Sequence, residues 1–124
     1  MLAALVEAAG YELEVSVRET PGNLGRLTGP VGRRVRQHRA ELVAAAAAHG
    51  VVNLRVFGSV TRGEDRHDSD VDLLADVPAG MGLLGLGRLA EELETILGVR
   101  VDLVPAGQLK PSVQRRAEPD LVAL

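Results

Sequence analysis

A β-branched run from Val51 to Phe57 stops at Gly58-Ser59, and after ten intervening residues Asp70-Val71-Asp72 opens a second apolar run that closes at Asp76. Two extended segments this near in sequence permit antiparallel pairing. A third segment of the same kind, Val99 to Val104, makes a short mixed sheet the expected outcome. Side chains alternate across a strand, so Asp70 and Asp72 share one face while Val71 and Leu73 take the other. Neighbouring carboxylates on one face repel each other. A fold gains little from that, whereas a divalent cation is held by it. At the strand end, Gly58 lets a backbone N–H and the small Ser59 hydroxyl come close to a phosphate.

The rest of the chain fits around these strands. Leu2 to Ala9 reads as a short helix stopped by Gly10, and Tyr11 to Arg18 alternates as a half-buried strand. Thr20 to Pro30, rich in Pro and Gly, reads as a linker. Residues 31–49 read as one helix, favoured by their alanines and ended at His49-Gly50. Gly58 to Ser69 reads as a polar loop or short turn of helix and Asp70 to Asp76 as a strand. Leu83, Leu86, Leu89, Ala90, Leu93, Ile96 and Leu97 form an apolar stripe that predicts an amphipathic helix over 82–97. After the third strand come a turn at 105–107 and a last helix over 108–117. Helices alternating with short strands give an α/β (α+β) class with helices flanking a mixed sheet. The organisation expected is an N-terminal helix–strand extension and linker over 1–30, then one domain over 31–124.

Composition narrows the function. Lys and Arg number 14 against 17 Asp and Glu, a net charge of −3, so no global basic field draws in nucleic acid. With aromatics at 2%, stacking platforms for single strands are almost excluded. Without cysteine there is no disulfide, thiol nucleophile or Cys-ligated zinc, which fits a cytoplasmic protein. The N-terminus lacks a basic start and carries Glu7, unlike a signal peptide. The longest apolar run, Leu42 to Ala48, is far short of the ~20 residues that span a bilayer.

A third carboxylate, Asp102, lies between Val101 and Leu103. If its strand lies beside residues 70–76, Asp102 faces the same site. Three carboxylates from two strands can hold two Mg²⁺ ions, and Asp102 can draw a proton from an attacking hydroxyl.

Phe57-Gly58-Ser59, the gap and Asp70-Val71-Asp72 resemble the signature of the DNA polymerase β-type nucleotidyltransferases. The whole stretch FGSVTRGEDRHDSDVDLLADV, with Arg62-Gly63 and with Ser69 before the first Asp, is similar more narrowly to the minimal, MntA-like nucleotidyltransferases, as is VRVDLVPAGQLKP. The similarity covers roughly residues 34–118. It implies the polymerase β-type fold, with Gly58 and Ser59 on the nucleoside triphosphate and Arg62 and Ser69 also on the nucleotide. It implies Mg²⁺ on Asp70, Asp72 and Asp102, and Asp102 as the base. Proteins of this kind are commonly antitoxins paired with an all-helical HEPN toxin, and several transfer AMP from ATP to a toxin tyrosine. Larger members append an acceptor-binding domain. Here a partner protein is expected to present the acceptor instead. Residues 1–18 are faintly similar to the end of a helix-turn-helix module without its reading helices, so direct DNA binding is not carried over. Two alternatives stand beside the enzyme reading. One is an antitoxin that masks its toxin by contact alone. The other is a small-molecule transferase of the aminoglycoside type.

Arg62 lies in the site loop and has the fork that suits phosphate. Arg66, His67, His38 and His49 read as surface or helix-end residues. Arg33, Arg34, Arg36 and Arg39 crowd a helix start, where the dipole disfavours cations, and read first as a solvated basic face that could meet an anionic partner. Gly85 to Ala90 matches G-x-G-x-x-A but lies within the leucine stripe rather than after a strand; its glycines are read as allowing close helix packing. The strand 11–18, having no partner in sequence, suggests a homodimer.

Overall fold

The computed structural model describes residues 22–124. The expected helix 2–9, the strand 11–18 and the homodimer argued from it lie outside the described residues. A 3₁₀ turn, Gly22–Arg26, leads into α1 (Pro30–Gln37) and α2 (Arg39–Ala48). Then come β1 (Val52–Phe57), a 3₁₀ turn Ser59–Arg62, β2 (Val71–Asp76), α3 (Leu83–Leu97) and β3 (Val101–Pro105). The chain finishes with α4 (Pro111–Ala117) and the short β4 (Val122–Ala123).

The sheet order is β3-β2-β1-β4. β1 runs antiparallel to β2 and to β4, and β2 runs parallel to β3. The sheet is therefore mixed, as its connections require: a short loop for the antiparallel pair, and the crossover helix α3 for the parallel one. Val71, Leu73 and Ala75 of β2, Val101 and Leu103 of β3, and Leu54 and Val56 of β1 are buried in one core. Against them pack Val31 and Val35 of α1, Leu42 and Ala46 of α2, and Leu89, Leu93 and Leu97 of α3. Alternation leaves Asp72 and Asp102 on the other face. Among the described residues no helix is long and apolar enough to cross a membrane.

Four sequence readings change. The helix read over 31–49 is two helices, because His38 leaves helical geometry (ψ 16°) while its ring meets Glu41. The stretch read as a linker up to Pro30 enters the core at Leu27, which is fully buried; a 3₁₀ turn in a Gly-rich segment is enough to deliver it. The stripe of α3 starts at Leu86, since Leu83 is 83% exposed. A Cβ on Gly87 would meet nothing within 4 Å, so close helix packing is not the reason for that glycine. A strand unforeseen in the sequence, β4, covers the free edge of β1 through Val56–Val122 and Arg55–Ala123 pairs. Leu124 N–H extends the pairing by donating to the Leu54 carbonyl at 2.9 Å.

Candidate active site

The site is built where β1 ends and β2 and β3 begin. Register places Phe57 opposite Asp72 across the antiparallel pair, and Asp72 beside Asp102 across the parallel pair. Gly58 then turns with φ 84° and ψ −156°, a conformation open to glycine alone. A Cβ there would stand 2.6 Å from Asp72 Oδ2, so the backbone of the turn lies directly against the carboxylate. Thr61, buried inside the following turn, donates its N–H (3.0 Å) and its hydroxyl (2.7 Å) to the Gly58 carbonyl and fixes that bend. Glu64 N–H bonds the Ser59 carbonyl at 3.1 Å and closes the loop behind it.

Asp72 is half-buried, whereas Asp70 and Asp102 are exposed. Its carboxyl is held above the ordinary carboxylate range, first by desolvation, then by the charge of Asp102, then by that of Asp70. The three border a cleft of about 220 Å³ that Glu94, Arg100 and Val101 complete. Among the described residues no group of three or more His, Cys, Asp or Glu encloses an ion site by itself. A magnesium site does not need such a cage, because Mg²⁺ keeps several waters and takes phosphate oxygens from its substrate. The donors present are hard oxygens, and the mutual repulsion that adds to the effect of burial on Asp72 is what a cation relieves, so the carboxylate set fits the ion.

Two residues read as nucleotide ligands are engaged elsewhere. Arg62 pairs with Glu64 (3.0 Å) and Asp120 (2.7 Å). Ser69 Oγ accepts the Arg66 N–H at 2.7 Å and closes the turn before Asp70. Within the basic helix start, Arg34 is structural: it donates to the carbonyls of Leu97 (2.9 Å) and His67 (2.7 Å). Arg39 likewise bonds the Leu124 carbonyl at 2.7 Å. Arg33 and Arg36 stay exposed.

Sequence reasoning passed over several residues. Glu94 borders the cleft, and its Oε2 accepts the Val101 N–H at 3.0 Å, pinning the start of β3. Arg100, beside it, gave no signal. Asp65, in the polar loop, is buried, and its Oδ2 accepts the N–H groups of Val31 (2.7 Å) and Gly32 (2.9 Å) at the start of α1. A burial pattern cannot be read in a polar loop; only the fold reveals that partner.

A glycine-bent strand end against a carboxylate pair, with a third carboxylate on the parallel neighbour, defines a nucleotidyltransferase of the minimal class. The family model of the nucleotidyltransferase domain matches residues 35–124. The chain belongs to that family and is an enzyme of this kind. It is 47% identical over 66 residues to the protein adenylyltransferase MntA of Thermococcus cleftensis, covering 53% of this chain and 67% of that one. It is 33% identical over 82 residues to a Methanocaldococcus jannaschii protein provisionally named as a protein adenylyltransferase, covering 66% of this chain and 88% of that one. A solved structure provisionally described as a minimal nucleotidyltransferase superposes with a TM-score of 0.67 at 42% identity, covering 74% of this chain and 94% of the other. A toxin–antitoxin structure containing AMP-PNP shares the fold, with a TM-score of 0.60 at 17% identity over 68% of this chain and 69% of that one.

Proposed function

We propose that the protein transfers AMP from ATP to a tyrosine of a HEPN-type toxin in the cytoplasm and so acts as its antitoxin. The observation that carries this reading is Asp72, crowded by Asp102 and Asp70 and closed over by the Gly58 backbone. The relatives named protein adenylyltransferases support the choice of transferred group and of a protein acceptor.

Gly58 and Ser59 receive the β- and γ-phosphates: glycine leaves the backbone bare, and the first N–H groups of a helical turn have no partner within that turn. Asp70, Asp72 and Asp102 are the donors for two magnesium ions, whose contribution is to neutralise charge on the α-phosphate and the leaving group. The acceptor oxygen bonds to the α-phosphorus while the bond to pyrophosphate breaks, and pyrophosphate leaves with that electron pair. The hydroxyl proton passes to Asp102, which is exposed and so open to an incoming side chain. Arg62 and Ser69 serve the loop rather than the nucleotide. Positioning and charge supply the rate.

The test incubates the protein with α-labelled ATP, Mg²⁺ and the protein encoded beside it, with an Asp70→Asn/Asp72→Asn variant as control. Label on the partner that disappears with the variant is expected, and mass spectrometry would place it on a tyrosine. A variant that still neutralises the toxin would replace transfer with masking by contact. Label on a free aminoglycoside without any protein partner would replace the protein acceptor with a small molecule.

A further inference from the structure

We propose that Asp65, assisted by Arg34, is a positioning residue of the transfer reaction: it anchors the Gly58–Ser69 loop to α1 and so sets where Ser59 meets the triphosphate. The inference rests on the nucleotide reading given above for Gly58 and Ser59.

The start of α1 has no cap of its own. Its N-cap residue, Gly29, makes no side-chain bond, and Pro30 follows. The helix is capped from a distance instead, by Asp65 Oδ2 on the N–H groups of Val31 and Gly32. A Ser or Asp at position 29 would satisfy such groups locally, without any long-range tie. Here that space is taken: a Cβ on Gly29 would fall 1.9 Å from Asp65 Oδ1. Oδ1 itself is buried and has no hydrogen-bond partner. An unpartnered buried oxygen costs stability, so capping α1 is not what this arrangement does best. What it does is join two segments.

The joint has further contacts on either side. Before Asp65, Gly63 adopts φ 70°, and a Cβ there would come within 2.6 Å of Thr28 Oγ1, so the loop backbone lies against that side chain. After it, Arg34 of the same helix grips the His67 carbonyl at 2.7 Å and, with its other nitrogen, the Leu97 carbonyl at the end of α3. The loop is therefore held on α1 at residues 65 and 67, with Gly63 against Thr28 just before that helix, while its ends run into Gly58 and Asp70. The Glu64-to-Ser59 backbone bond carries the constraint to the residue that meets phosphate. Phosphate-binding geometry is sensitive to displacements of about 1 Å, and such a brace limits them.

The test compares Asp65→Ala and Asp65→Asn with the wild type, well below each protein's melting temperature. Affinity for a non-hydrolysable ATP analogue is measured by calorimetry with Mg²⁺, and loop protection by hydrogen exchange. Asp65→Ala is expected to weaken analogue binding about tenfold and to strip protection from residues 59–69 while α2 and α3 keep theirs. Asp65→Asn retains an acceptor oxygen and is expected to stay within about threefold of wild type. Should the alanine variant fail to fold, Arg34→Gln asks the same question from the His67 side, with a loss of about threefold expected. Unchanged affinity in a folded Asp65→Ala or Arg34→Gln variant would overturn the proposal, leaving Asp65 a stabilising residue only. A wild type that binds no analogue while Asp65→Ala still loosens the loop would overturn the nucleotide reading instead and leave the brace standing.

Discussion

Asp65 and Asp72 are the same chemical group in neighbouring parts of the molecule, the outer loop and the strand floor. Asp65 is buried at 7% exposure, and its charge is answered by two backbone N–H groups at a helix start. Asp72 is only partly buried and faces Asp70 and Asp102. The loop turns its carboxylate to internal hydrogen bonds; the floor turns its carboxylates to one another and to the cleft. Like-charged carboxylates gathered on a strand face, beside a buried acid bonded to helix N–H groups, are the feature that supports the proposed cation and phosphate site.

The largest expected effect breaks the floor. Asp70→Asn with Asp72→Asn lowers transfer by about a thousandfold or more, read from label incorporated per minute, with circular dichroism unchanged. Next comes the joint between the regions. Gly29→Ala drives a methyl into Asp65 and costs about 2–3 kcal/mol, measured as a lower urea midpoint at unchanged slope. A third substitution separates the two acids by sign. Asp72 has a raised pKa, so above that pKa its ionised form weighs against the fold, and the penalty declines as pH falls below it and is gone below the ordinary carboxylate value. Asp72→Asn is therefore expected to raise the melting temperature at neutral pH by about 2–4 °C, solvent screening keeping the gain small, and the gain shrinks in acid. Asp65→Asn, which weakens a charge-assisted cap, moves the midpoint down. Equal shifts would erase the contrast. The smallest effect is expected at Arg62→Ala, whose partners Glu64 and Asp120 lie outside the cleft: the KM for ATP changes by less than about threefold.

The floor of the site was legible in the sequence because strand alternation and a fixed gap are local quantities. Gly58, Ser59, Asp70, Asp72 and Asp102 fall together in the fold because β2 pairs with β1 on one side and β3 on the other. The brace was not legible. Asp65 lies in a polar loop, and its partners Val31 and Gly32 belong to a different stretch of the chain, so no window contains both. β4 was missed for another reason. Val122–Ala123 is too short to show a period, and its pairing depends on an edge that β1 offers only once the sheet exists. Leu83 was over-read: it fits the stripe by spacing, but the first turn of α3 runs past the core.

The strand order has a kinetic consequence. The β1–β2 hairpin closes over one short loop, whereas β4 must return across most of the domain to reach β1. Closure entropy rises with loop length and non-local pairs form late, so the hairpin is expected to assemble ahead of the edge. Gly58 and Asp72 would then meet in the earliest contacts of the chain. Pulse-labelled exchange during refolding should find the amides of residues 55, 57, 72 and 74 protected before those of 122–124. The ground plan of the catalytic surface would be in place while the far side of the sheet was still open.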